Sequence, residues 1–146
     1  MRILIDGDAC PQKEDIVNIV RKYHLKMIVY VDFAHVFNND EFEVKHCEVG
    51  HDHVDMMIIN DALAGDIVIT QDFGLASLVL MKKAKVLHVS GKILTNENIN
   101  NHLMSRYVSS HLRRSRVRLK GPPQRTKVVE SFFINQLENL IKEEFC

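Results

Sequence analysis

The chain has 146 residues, 46% hydrophobic and 26% charged, with 19 basic and 19 acidic side chains that give zero formal net charge. That is one domain's worth of sequence, able to bury about two thirds of the surface its unfolded chain exposes, and no apolar run approaches the roughly 18 residues of a membrane span. Cys10, Cys47 and Cys146 share no repeating spacing, which excludes a disulfide framework and a zinc ribbon and fits reduced thiols. The amino terminus reads as strand rather than as a secretion signal, so a cytoplasmic protein is expected.

Residues 2–6 form a short apolar run closed by Asp6, a buried strand. Gly7 lets the chain turn, and Pro11 suits the first turn of a helix, where a missing N–H costs nothing. That helix runs to about His24 with Ile16, Val17, Ile19 and Val20 facing inward. MIVYV (27–31) is continuous and apolar, as in a sheet covered on both faces, whereas FEVKHCEV (42–49) alternates like an edge strand. Residues 51–64 are helical and Gly65 stops them. DIVIT (66–70), a helix over 74–83 and KVLHV (85–89) follow. After Gly91 a helix is expected from Thr95 through a run of arginines. GPP (121–123) breaks it, and residues 127–145 make a terminal amphipathic helix with Val128, Phe132, Phe133, Leu137, Leu140 and Ile141 on its packing side. Strands alternating with helices predict one α/β domain over 1–146, three-layered, with a mostly parallel sheet of four or five strands.

In such a sheet ligands bind outside the carboxyl ends of the strands, where strand order reverses. Asp6 ends the first strand, Asp72 follows DIVIT, and Asp52 and Asp55 lie in the first turn of the helix that leads into it. Topology therefore gathers Asp6, Asp8, Asp55 and Asp72 on one rim, with Cys10, Asp52 and Thr70 as supporting residues. Such a cluster repels itself unless protonated or neutralised by a hard cation, and Mg²⁺ or Mn²⁺ prefers carboxylates and water. Asp55 is also explained by the preference for negative charge at a helix amino end. Asp61 and Asp66 read as turn and surface residues. An aspartate closing a buried strand, by contrast, needs a partner.

DGDACP (6–11), VDMMIINDALAGDIVITQDFGLASLVL (54–80), SRY (105–107) and KGPP (120–123) resemble the uncharacterised bacterial YaiI/YqxD family over essentially the whole chain. That resemblance implies a PIN-like domain, a group in which many members are metal-dependent ribonucleases. Carried over by position, the acid closing the first strand falls on Asp6, the helix acid on Asp55 and the acid after the fourth strand on Asp72, while Asp8 matches a second acid of the opening. Where some relatives have a further acid directly after the helix aspartate, this chain has Met56. The implied metal ligands are Asp6, Asp55 and Asp72, with Asp8 joining them in catalysis.

Rival constellations are weaker. HDHVDM (51–56) approaches a zinc-hydrolase motif, but its last histidine is replaced by Met56, which leaves His51 and His53 exposed or behind a metal's ligands. DGD also resembles the opening of aspartate-nucleophile phosphatases, with Asp6 as nucleophile and Asp8 as acid, yet the best lysine, Lys92, follows the later acidic motif instead of preceding it. Cys10 lies at a helix amino terminus, where a thiol's pKa falls, but position 16 is Ile and position 13 is Lys, so neither a thiol phosphatase nor a dithiol motif is present.

No acidic residue lies between Glu97 and Glu130, whereas Arg106, Arg113, Arg114, Arg116, Arg118, Lys120, Arg125 and Lys127 do. Charge runs are usually solvated faces, but an acid-free basic helix and loop over 106–127 is also what binds phosphate backbones, and Tyr107 could stack on a base. The expected activity is phosphodiester hydrolysis on nucleic acid, RNA ahead of DNA. The alternatives are a non-catalytic RNA-binding or regulatory module with a degenerate acidic site, favoured by Met56, and the phosphatase. Nothing in the sequence excludes a homodimer.

Overall fold

The computed structural model describes residues 1–7, 10–32, 42–47, 51–101 and 125–145. Six strands form one sheet: β1 (Arg2–Asp6), β2 (Lys26–Asp32), β3 (Glu43–Cys47), β4 (Ile67–Thr70), β5 (Lys85–His88) and β6 (Ile93–Leu94). Their spatial order is β3-β2-β1-β4-β5-β6. All neighbours are parallel except β5 and β6. Among the described residues α1 (Lys13–Tyr23), α2 (His51–Asp61), α3 (Phe73–Met81) and α4 (Lys127–Phe145) flank the sheet, and residues 99–101 begin a further helical segment. The expected three-layer α/β architecture is present, and the sixth strand is an antiparallel addition of two residues, too short to leave a periodic signal.

Strand alternation divides the core. Ile3, Ile5, Val29, Val31, Ile67, Ile69 and Leu87 point to the side covered by α1 and α4, where Ile16, Val20, Phe133 and Leu137 meet them. Leu4, Ile28, Tyr30, Val68 and Val86 point to the side covered by α2 and α3. Sheet residues buried on both faces explain why these strands read as unbroken apolar runs.

Several boundaries differ from expectation for physical reasons. Helix α1 begins at Lys13, not at Pro11, because Gln12 takes a left-handed conformation (φ 62) and accepts the first helical bond from Ile16 N–H at 3.1 Å. Helix α2 ends at Asp61, and the turn after it is held by Asp66, whose Oδ2 accepts from Leu63 N–H at 3.0 Å. Asp66 is therefore no surface residue: it is buried and ion-paired with Arg2 at 2.7 Å. Asp61 is likewise anchored, accepting from the Tyr30 hydroxyl at 2.7 Å and Lys45 Nζ at 2.8 Å. On α4, Phe133, Leu137, Leu140 and Ile141 are buried as expected, but Val128 and Phe132 remain 78% and 48% exposed. Phe132 lies one step, about 100°, round the helix from Phe133, and Val128, four residues before Phe132, falls on the same outer side. Among the described residues no helix is long and apolar enough to cross a membrane.

Candidate functional site

Strand order reverses between β1 and β4. Helix α1, which follows β1, packs on one face of the sheet, while α3, which follows β4, packs on the other. The chain thus parts at their carboxyl ends and leaves the crevice in which ligands of parallel sheets bind. Ile5 pairs with Ile69, so the next residues, Asp6 and Thr70, stand side by side on that rim.

Asp6 is only 9% exposed. Its Oδ2 accepts from the Thr70 hydroxyl at 3.2 Å, and the same hydroxyl accepts from Asp72 N–H at 3.0 Å. Thr70 is fully buried, and because its oxygen receives the Asp72 proton, its own proton is directed to Asp6. Asp72 caps α3, with Oδ1 accepting from Gly74 N–H at 2.8 Å and Leu75 N–H at 3.1 Å. One hydroxyl therefore ties the Asp6 carboxylate to the backbone of Asp72.

Gly7 continues the rim, and its N–H donates to Tyr30 O at 2.8 Å. The need for glycine here is close approach rather than turning freedom: a Cβ would lie 2.6 Å from Val31 Cγ1 and 2.8 Å from Tyr30 O.

The remaining expectations distribute as follows. Asp55 lies on α2, partly buried. Among the described residues no three His, Cys, Asp or Glu side chains gather closely enough to hold a metal ion, so Asp55 does not complete a three-carboxylate set with Asp6 and Asp72. His53 and Met56 are exposed on the same helix. Asp8, Tyr107, Arg106, Arg113, Arg114, Arg116, Arg118 and Lys120 lie outside the described residues, as do the side chains of His51 and Asp52. Lys127 begins α4.

Cys10 is 5% exposed, its thiol directed to Pro11 O at 3.2 Å. Burial pushes that thiol up to about 12, against the pull of Lys13 and Arg125. The lowering expected at a helix amino terminus is thus overturned, because desolvation outweighs nearby positive charge.

Arg125, expected on a phosphate backbone, turns inward. Its Nε and Nη2 donate to Gln12 Oε1, its Nη1 donates to Val89 O at 2.6 Å, and its guanidinium lies over the Phe133 ring at 5.4 Å. Gln12 Nε2 also reaches Glu130 O at 3.3 Å. Arg125 therefore ties the start of α4 to the start of α1 and the end of β5.

Sequence reasoning passed over His88. It closes β5 as Asp6 closes β1, and it is the register partner of Thr70. A polar residue ending an apolar strand was the available signal, and it was applied to the aspartate alone.

Residues 4–143 match the model of an uncharacterised bacterial family, YaiI/YqxD. The chain is 40% identical over 141 residues to a UPF0178 protein of Natranaerobius thermophilus, covering 97% of this chain and 96% of the relative. It is 39% identical to one of Alkaliphilus oremlandii over 147 residues, and 43% identical to one of Clostridium kluyveri over 127. The coverage is 97% and 95% for the former and 87% and 84% for the latter, this chain first. These names state no activity, and no solved structure matches.

Proposed function

The chain belongs to the YaiI/YqxD family, and from that premise we propose that it is a Mg²⁺- or Mn²⁺-dependent phosphodiesterase acting on nucleic acid, RNA ahead of DNA. The observation that carries the reading is the Asp6 carboxylate, buried at the crevice where strand order reverses and oriented by the Thr70 hydroxyl. A buried carboxylate at the carboxyl end of a strand is the kind of group that a hard cation neutralises.

The donors present are all oxygens, which suits a hard cation and not zinc. Mg²⁺ ordinarily takes one or two carboxylates and fills its remaining positions with water and substrate phosphate, so the lack of a third close carboxylate among the described residues does not conflict with it. Asp6 and Asp72 would hold the ion, with Asp8 and Asp55 as the further acids of the expected site. Once bound, the ion would supply an activated water and stabilise charge on the phosphoryl group. Thr70 keeps Asp6 in one orientation, and the cations of 106–127 hold the backbone, Arg125 excepted.

The test is cleavage of labelled RNA and DNA oligonucleotides by purified protein with Mn²⁺. Cleavage is expected to disappear in Asp6→Asn and on chelation. An unchanged rate in Asp6→Asn sinks the proposal. A non-catalytic RNA-binding module is the second reading, favoured by Met56, 59% exposed beside Asp55. RNA binding without metal, unaltered in Asp6→Asn and without cleavage, selects it. Turnover of phosphate monoesters with phosphorylated Asp6 selects the aspartate-nucleophile phosphatase.

A further inference from the structure

Helix α3, FGLASLVLM, carries no charged side chain, although a helix lying on a sheet ordinarily turns a polar face outward. Leu75, Ala76, Val79 and Leu80 bury its inner face. Gly74, Ser77, Leu78 and Met81 lie on the other side, at the i, i+3, i+4, i+7 spacing of one helix face, with Leu78 47% and Met81 78% exposed. By contrast α1 turns Glu14, Asp15, Arg21 and Lys22 to solvent. The Ser77 hydroxyl is folded onto its own helix, donating to Gly74 O at 2.7 Å, so it asks for no outside partner. The amino-terminal half of the face is therefore low and the carboxyl-terminal half is raised. Met56 and Leu63, both exposed, extend the apolar surface over the neighbouring α2 and the turn after it. Lys82 Nζ, which donates to Ile59 O at 2.5 Å, holds the two helices together.

That face is complementary to itself. A two-fold axis crossing α3 between Ser77 and Leu78 makes each residue before the axis meet the one equally far beyond it in the other copy. Leu78 then faces Ser77, Met81 faces Gly74, and the exposed Lys83, just past the helix, comes level with Asp72 at its start. Large side chains meet small ones and an ammonium meets a carboxylate, twice over. Glycine and serine at the contact let helix axes approach to about 8 Å, and antiparallel helix dipoles attract. A second copy supplies both the size match and the charge match without any further requirement.

We propose that the chain forms a homodimer in which α3 packs antiparallel on α3 of a second copy. The inference stands apart from the catalytic reading above. Sedimentation velocity of the full chain is expected to show a concentration-dependent dimer of micromolar affinity, at the weak end because the face is small. Leu78→Glu combined with Met81→Glu puts charge where the second copy excludes water. That double variant is expected to raise the dissociation constant at least about a hundred-fold, with an unchanged circular dichroism spectrum. Register is read by Ser77→Cys in a Cys146→Ser background, since Cys10 and Cys47 are buried. Oxidation should yield a covalent dimer, because residue 77 lies beside the axis, whereas Val128→Cys, exposed on the other layer of the sheet, should yield none. The cross-link decides the matter alone if the double variant does not fold. A wild type that stays monomeric well above micromolar concentration overturns the proposal and leaves the face to a different protein. A dimer that survives Leu78→Glu with Met81→Glu, or a Ser77→Cys chain that cross-links no faster than Val128→Cys, overturns the α3 pairing.

Discussion

At the scale of single residues, the fold places its most exacting demand on Thr70. Its hydroxyl donates to Asp6 and accepts from Asp72 N–H inside a fully buried position. Thr70→Val keeps the volume but removes a hydrogen bond from each of its two partners, so urea unfolding should show a loss of about 1–3 kcal/mol, with Thr70→Ser closer to wild type. Cys10 makes a prediction about pH. Its folded thiol is pushed up to about 12, so as pH rises past the ordinary thiol range the unfolded chain ionises while the native one stays protonated. The stability this gives is complete below the unfolded value and is lost as pH rises toward the folded one. Burial also raises the Tyr30 hydroxyl, which adds a loss of the same sign. The alkaline slope of stability should therefore flatten in Cys10→Ala without vanishing, and thiol reagents should modify Cys10 only after denaturation. Asp6 was legible in the sequence because a carboxylate ending an apolar strand has few bland explanations. The state of Cys10 was not, because sequence spacing reports proximity to a helix end and says nothing of how deeply the thiol is packed.

Elements add a second demand on the same atoms. Helix α3, FGLASLVLM, has no charge of its own, and its amino end is held by the Asp72 carboxylate. Capping and the proposed ion binding can be separated, because Asn caps as well as Asp whereas Ala does not. Asp72→Ala should cost about 0.5–2 kcal/mol of stability. Asp72→Asn should melt near wild type and yet lose cleavage, and if both variants retain cleavage Asp72 is a cap alone. Gly91 fixes another element: its φ is +95, and a Cβ there would lie 2.5 Å from Phe132 Cδ1 and 3.0 Å from Phe133 Cα. Gly91→Ala should lower the melting temperature by separating the β5–β6 turn from α4. Strands β1, β2, β4 and β5 were legible because two-sided burial writes them as apolar runs, and β3 because FEVKHCEV alternates as an edge strand does. The start of α1 was hidden by the left-handed Gln12, and the inward use of Arg125 depends on that same residue. Topology delivered Asp6, Thr70 and Asp72 to one rim, but a helix acid such as Asp55 is placed by the angle at which its helix crosses the sheet. The sequence pattern does not encode that angle.

For the whole molecule, zero net charge conceals a separation that should dominate any polyanion binding. Asp6 and Asp72 stand at the rim, while residues 98–129 contain cations and no acid. A phosphate backbone drawn to the basic segment would be repelled at the rim unless a cation screens Asp6 and Asp72, so affinity for RNA should rise on adding Mg²⁺ in wild type and much less in Asp6→Asn. Salt then separates the arginines by role. Each phosphate contact on a single strand contributes about 0.7 to the slope of log affinity against log salt. Replacing Arg113, Arg114, Arg116 and Arg118 together by Ala should therefore lower the slope by about 3 while leaving thermal stability near wild type. Arg125→Ala should do the reverse, because its guanidinium is directed to Gln12, Val89 and the Phe133 ring. It should lower stability and leave the slope almost unchanged. A fall in slope for Arg125→Ala with no loss of stability would mean that the guanidinium leaves its internal partners for phosphate, and that the tie between α1 and α4 is broken when nucleic acid binds.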